Sequence, residues 1–242
     1  LVGADATVEE GFVAAQLAAV LPYGRVGRLG FPAVAALDAL RALPGAELGD
    51  LDGAGAVAVV GGDVCNQHPI VELRLRKVAR RRVALAVVGP RPQHLAARAS
   101  AVVLTPIGDL ASGLGEVTAA LTGATNPIVI WDEVDLANDP AAATELARIA
   151  RDTGARQIEL SADVNGRGLR ALGLEVDPII APAAQRKVST LISVLADPLE
   201  SPGSMAWAAG PIDRVGQIIA IATHASATFQ VPTTLVSTPS QG

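Results

Sequence analysis

The chain has 242 residues, a formal net charge of −5, and a composition that is half hydrophobic but only 2% aromatic. That length suffices for one large or two smaller domains, each with its own core. The acidic balance excludes a broad nucleic-acid-binding face, which needs an excess of basic side chains. Cys65 is the single cysteine, which rules out a disulfide framework, a cysteine-rich zinc site or a cysteine-held iron–sulfur cluster within this segment.

No apolar run approaches the ~20 residues that span a bilayer, and the first residues lack the charged and apolar regions of a signal peptide. The chain starts at Leu1 and stops shortly after an apolar run. It reads as a segment of a longer cytoplasmic chain.

In chain order, residues 8–20 follow Thr7, a candidate cap, with Phe12, Val13, Leu17 and Val20 at amphipathic helical spacing. Residues 33–43 continue the same periodicity through Val34, Leu37 and Leu40. Short apolar runs then recur at 56–60, 83–88, 101–104, 127–131, 156–160, 190–195 and 217–222. Most are continuous rather than alternating, as befits strands buried on both faces of a parallel sheet. Residues 140–153 open with Pro140 and close at Gly154, the expected asymmetry of a helix. Strands alternating with helices predict an α/β fold with doubly wound, Rossmann-like lobes. The turn-rich TGATNP at 122–127 is the predicted division, giving lobes 1–124 and 125–242, the second incomplete.

The chemistry-bearing stretch is VVGGDVCNQHPIVELRLRKVARRR at 59–82. A strand ends in Gly61 and Gly62, a polar loop follows, and Pro69 opens a helix whose Ile70, Val71, Leu75 and Val78 are expected to face inward. Ligands of open α/β sheets bind beyond the carboxyl ends of the strands, often at a helix N-terminus. Neither GxGxxG nor GxxxxGK[ST] is present. Asp63 has the chemistry to accept hydrogen bonds from a ribose or a guanine, and equally to cap the loop. His68 is expected to brace the loop, Cys65 to be a small loop residue, and the Arg74–Arg82 run to be a solvated face that favours the helix C-terminus.

The sequence VVGGDxxxxHPIVELRLRKVARR…VALAVVGPR, followed in order by ASAVVLTPIGDLASGLGEVTAAL (99–121), NPIVIWDEV (126–134), ADVNGRGLRALGL (162–174) and IIAIATHASATFQVPTTLV (218–236), resembles the molybdopterin-oxidoreductase family. LVGADATVEEGFVAAQLA (1–18) fits the same order. Within the family the resemblance is to the large iron–sulfur subunit of bacterial NADH–quinone oxidoreductase, respiratory complex I. It implies formate dehydrogenase-like domains and places Asn165, Gly168 and Gly173 in a matching element.

The Asn-Pro of active molybdoenzymes and a ligand for molybdenum have no counterpart here. The resemblance therefore implies a molybdopterin-like scaffold domain of the peripheral arm, itself non-catalytic, that supports electron transfer from NADH to quinone. Gly61, Gly62, Asp63, Asn165 and Gly168 would be vestigial cofactor-binding positions, with molybdopterin guanine dinucleotide absent, no metal or other cofactor in this segment, and iron–sulfur clusters elsewhere in the parent chain. Its partners would be the rest of that large iron–sulfur subunit and other peripheral-arm subunits at the cytoplasmic side of the inner membrane, with no membrane insertion and no nucleic acid.

Two alternatives stand beside this reading: cofactor-binding lobes of a molybdopterin enzyme such as a formate dehydrogenase, and an unrelated nucleotide-binding α/β domain. Trp131 and Trp207 are expected to anchor a core or an interface. The acidic DEVD at 132–135 is expected to be a solvated loop, His224 to brace a loop, and the irregular 198–211 to be a docking surface.

Overall fold

The computed structural model describes residues 1–30, 35–176, 179–199 and 210–222, and the backbone of 233–237. The expectations for Trp207 and His224, and for most of 198–211, lie outside the described residues. The chain forms an α/β fold in two compact units, one made of 34–162 and the other of 1–33 with 163–242. The predicted division at 124/125 falls elsewhere: the turn at 122–127 lies inside one sheet, because strands on both sides of it pair directly.

The unit 34–162 is built on five parallel strands, β1 (Ala56–Val60), β2 (Ala84–Gly89), β3 (Ala101–Leu104), β4 (Pro127–Asp132) and β5 (Arg156–Leu160), in the order β3-β2-β1-β4-β5. The central runs AVAVV and PIVIWD are buried at every position, as a strand covered on both faces requires. The outer strands AVVL and RQIEL are only partly buried.

The register Val57↔Ile128 and Val60↔Trp131 fixes which side chains share a face. Ala56, Ala58 and Val60 pack with α2 (Ala35–Arg41), α5 (Leu114–Leu121), α6 (Glu133–Ala137) and α7 (Pro140–Thr153). Val57 and Val59 pack with α4 (Pro69–Arg80) and with the 3-10 turns at Leu48–Gly53 and His94–Arg98. The short α3 (Val64–Gln67) joins β1 to α4.

Helix α7 shows how locally this unit is specified. The Asp139 carboxylate caps it by accepting the Ala142 N–H, Pro140 occupies the first turn, and Gly154 closes it at φ 68°. Its alanine and leucine face then packs flat on the sheet. In α4, Val71, Leu75 and Val78 are buried as expected, whereas Ile70 is exposed. The arginine run of α4 is less idle than a solvated face. Arg74 and Lys77 both reach the Asp52 carboxylate, and Arg81 donates to the carbonyls of Leu51 and Ala54. They pin the Leu48–Gly53 turn.

The other unit carries the parallel strands β6 (Thr190–Val194), β7 (Gln217–Ala222) and β8 (Thr233–Ser237) in that order. Single bridges Val2↔Val194, Val2↔Arg28 and Arg28↔Val176 extend the pairing from β6. Around it lie α1 (Val8–Val20), α8 (Gly166–Ala171) and α9 (Ile180–Ala184). Helix α1 starts as predicted: Thr7 and Glu10 form a reciprocal capping box.

The side it buries is that of its small residues. Gly11 is the buried residue, and Ala14 and Ala15 pack against Leu169 and Leu174. A β-carbon at Gly11 would lie 2.5 Å from the Leu169 side chain. Phe12, Val13 and Val20 point outward, at 53%, 63% and 76% exposure. The helix approaches its neighbours through small residues, so its large side chains are left on the outer face. Among the described residues no helix is long and apolar enough to cross a membrane.

These two helices predict opposite responses to truncation. Leu146→Ala, in the fully buried face of α7, should lower stability by about 3 kcal/mol. Val20→Ala should change it by less than about 0.5 kcal/mol. Urea denaturation of both variants checks this, and an equal loss would contradict the outward orientation of α1.

Candidate functional site

The connections from β1 and β4 leave their carboxyl ends toward opposite faces of the sheet, the position where open α/β sheets form a ligand crevice. Gly61 and Gly62 turn there with φ of 74° and 69°. The glycines are required: a β-carbon at Gly61 would lie 2.9 Å from that of Asp135, and one at Gly62 would lie 3.0 Å from Asp132 Oδ2.

The loop amides that would cradle an anion are engaged by the chain itself. Gly61 N–H donates to the Val88 carbonyl (2.8 Å), Gly62 N–H to Asp135 Oδ2 (2.8 Å), and Asp63 N–H to Gln67 Oε1 (3.0 Å). The Gly62 carbonyl accepts from Gln93 Nε2 at 2.7 Å. Asp63 is the cap of α3, accepting from the Asn66 backbone and side chain.

The acidic run at 132–135 is not a solvated loop. Asp132 and Glu133 are 5% and 4% exposed. Asp132 Oδ1 accepts the Asp135 N–H at 2.8 Å and so caps α6. Burial pushes the Asp132 carboxyl up to about 6; its hydrogen bond from the Asp135 amide opposes this, and the neighbouring Asp135 and Glu133 charges add to it.

Glu133 is held from two sides, by Arg41 Nη2 at 2.7 Å and by the Ser161 hydroxyl and Ala162 N–H at 3.0 and 3.1 Å. Arg41 also donates to Glu159 at 2.8 Å and lies 5.8 Å from the Trp131 ring centroid. Burial acts against the Arg41 charge, and Glu159 and Glu133 outweigh it, raising its pKa. Trp131 is wholly buried and donates to Gln157 Oε1 at 2.9 Å. Periodicity placed Arg41 on a helix and Glu159 in a strand, but nothing in the sequence signalled that Arg41 would bond both Glu159 and Glu133.

The remaining residues of the loop are quiet. Cys65 is a free thiol whose pKa is raised, chiefly by burial, the opposite of a reactive cysteine. His68 bridges the end of α3 and the start of α4, and burial lowers its pKa. Among the described residues no group of three or more His, Cys, Asp and Glu is placed to hold a metal ion.

Asn165 and Gly168 belong to the other unit. Asn165 Nδ2 donates to the Ala6 carbonyl at 2.8 Å, and its backbone N–H donates to the Ala4 carbonyl at 3.1 Å. A β-carbon at Gly168 would lie 2.3 Å from Asn165 Oδ1 and 2.8 Å from Val8. Both residues therefore tie α8 to the segment before α1. Close by in sequence, Arg28 and Asp163 form a buried ion pair at 2.9 Å; a β-carbon at Gly30 would crowd both partners. Sequence patterning had not singled out either charge.

No family model and no curated protein matches the chain. Among solved structures it is similar to a chain of the formyltransferase/hydrolase complex FhcABCD from Methylorubrum extorquens, solved in complex with methylofuran. The identity is 18%, the TM-score 0.62, and the match covers 99% of this chain and 79% of that one. At that identity the likeness establishes the α/β fold alone. It also corrects the resemblance to complex I: the structural match is to a formyltransferase/hydrolase complex, and it supports neither a scaffold domain of a respiratory iron–sulfur subunit nor the two alternative readings. The motifs behind that resemblance are strand, glycine-turn and helix signals shared by many α/β chains.

Asp132 gives the site a testable titration. Its folded pKa lies above the unfolded value, so its contribution is fully present below about pH 4 and is lost as pH rises through 6. Ionisation in place should cost about 3 kcal/mol. Asp132→Asn keeps the helix cap and removes the buried charge, so it should raise stability at pH 8 by about 1–3 kcal/mol and leave it unchanged at pH 3.5. Denaturation midpoints at the two pH values decide it; a variant destabilised at pH 8 would show that the ionised carboxylate is favoured.

Proposed function

We propose that this chain is a structural component of a multi-protein assembly, of the kind represented by the structurally similar formyltransferase/hydrolase complex, and that it contributes contact surface rather than a ligand site at the β1/β4 crevice. We further assign 34–162 to the Rossmann-type arrangement on its strand order and its helices on both faces.

The observation that carries the assembly reading is the extent of the likeness, 99% of the chain, to a member of such a complex. Two features of the molecule agree with it. The crevice loop has its amides committed to in-chain acceptors. The outward face of α1 is apolar, as surfaces that meet other proteins often are.

Native purification from the source cell, followed by light scattering and identification of co-eluting polypeptides, tests the reading. The chain should elute with stoichiometric partner polypeptides in a pool that transfers or hydrolyses formyl groups. A chain that elutes alone, or with partners but no such activity, would overturn it.

A further inference from the structure

Val13, Leu17, Val20 and Leu21 stand at i, i+4, i+7 and i+8 and so share one side of α1 and its C-terminal cap. They form an apolar stripe about 12 Å long, all of it exposed. At its end the chain turns through Tyr23, which has φ 59° and is fully exposed. It is the sequence's single tyrosine. Gly24 makes the turn possible, since a β-carbon there would lie 2.1 Å from the Ala18 carbonyl oxygen.

The stripe runs into a groove of about 880 Å³ bordered by Leu17, Leu21 and Tyr23 on one side and by Leu191 and Ile192 of β6 on the other. Its charged lining residues are Arg25 and Lys187, and no carboxylate among the described residues lines it. This cationic rim sits on a chain whose net charge is −5.

We propose that the α1 stripe and this groove form one docking surface for a polypeptide segment of a partner protein, a segment with apolar side chains flanked by carboxylates. The proposal rests on the assembly reading above and names the surface and the chemistry of its occupant. The apolar floor calls for apolar anchors, and an exposed tyrosine beside them is the residue type that concentrates binding energy at interfaces. Arg25 and Lys187 call for negative charge. A second copy of the chain would bring the same cations to a two-fold contact and place like charges together. A small ligand would fill the groove but leave the stripe uncovered.

The full chain, purified from its source in its native assembly, provides the test. The variants are the pairs V13E/V20E and R25E/K187E, with L73E as an exposed apolar control in the other unit. V13E/V20E should keep the wild-type melting temperature of the isolated chain, because both side chains are exposed, and should weaken partner binding about a hundredfold. R25E/K187E should weaken it about tenfold and flatten its salt dependence. L73E should bind as wild type.

If V13E/V20E holds its partners at wild-type stoichiometry, the docking surface is wrong while the assembly reading stands. If R25E/K187E binds as wild type, the acidic chemistry is wrong. If the wild-type chain self-associates and V13E/V20E abolishes it, the occupant is a second copy and the proposal fails. A wild-type chain without partners overturns the assembly reading and the proposal together.

Discussion

The parallel pairing of β1 with β4 is the constraint on which the unit 34–162 depends. These two strands lie at the centre of the sheet, buried on both faces, and no water reaches them to satisfy an unpaired amide. The sequence between them must therefore leave one strand, add β2 and β3 on one side, and return to the other. That path sends the connection after β1 to one face of the sheet and the connection after β4 to the other. The loop 61–63 lies at the carboxyl end of β1, and its backbone groups bond within the chain. Asp135 takes the Gly62 amide, Gln93 takes the Gly62 carbonyl, and Asp132 caps the next helix. At the position where other open sheets receive a ligand, side chains of the same unit hold the backbone of the loop.

Much of this architecture was legible because the physics is local. Continuous apolar runs marked β1 and β4, since a strand covered on both faces has no reason to alternate. Pro140 and Gly154 bracketed α7 because each satisfies a backbone requirement at its own end. Gly61 and Gly62 announced a turn, and the turn is there.

What stayed hidden depends on partners far away in the chain. DEVD reads as a solvated loop because three acidic residues in four normally seek water. Glu133 is nevertheless buried, because Arg41, Ser161 and the Ala162 amide converge on it from 28 to 92 residues away. The helical period of 8–20 identified α1, but a period cannot say which face is covered. Gly11 and the alanines set that by allowing close approach to α8 and the Leu174 segment. The division at 122–127 failed for a related reason: a turn from a helix into a central strand has the same glycine-containing, polar composition as a linker. The ordered resemblance to a respiratory iron–sulfur protein drew on these same local signals, which record the rhythm of an α/β chain more faithfully than its ancestry.

The unit formed by 1–33 and 163–242 is discontinuous, and this has a consequence for biosynthesis. The backbone nitrogen of Leu1 donates to the Ile192 carbonyl, a contact spanning 191 positions. During translation Val2 and α1 leave the ribosome long before β6 exists to pair with Val2. The stretch 34–162 is complete much earlier and can collapse by itself, as domains generally do. Its folding shortens the effective loop that the outer segments must close, which lowers the entropic cost of their meeting. Until then α1 presents apolar side chains on its outer face and lacks its inner neighbours as well. That is the interval in which the nascent chain is most open to chaperones and to aggregation.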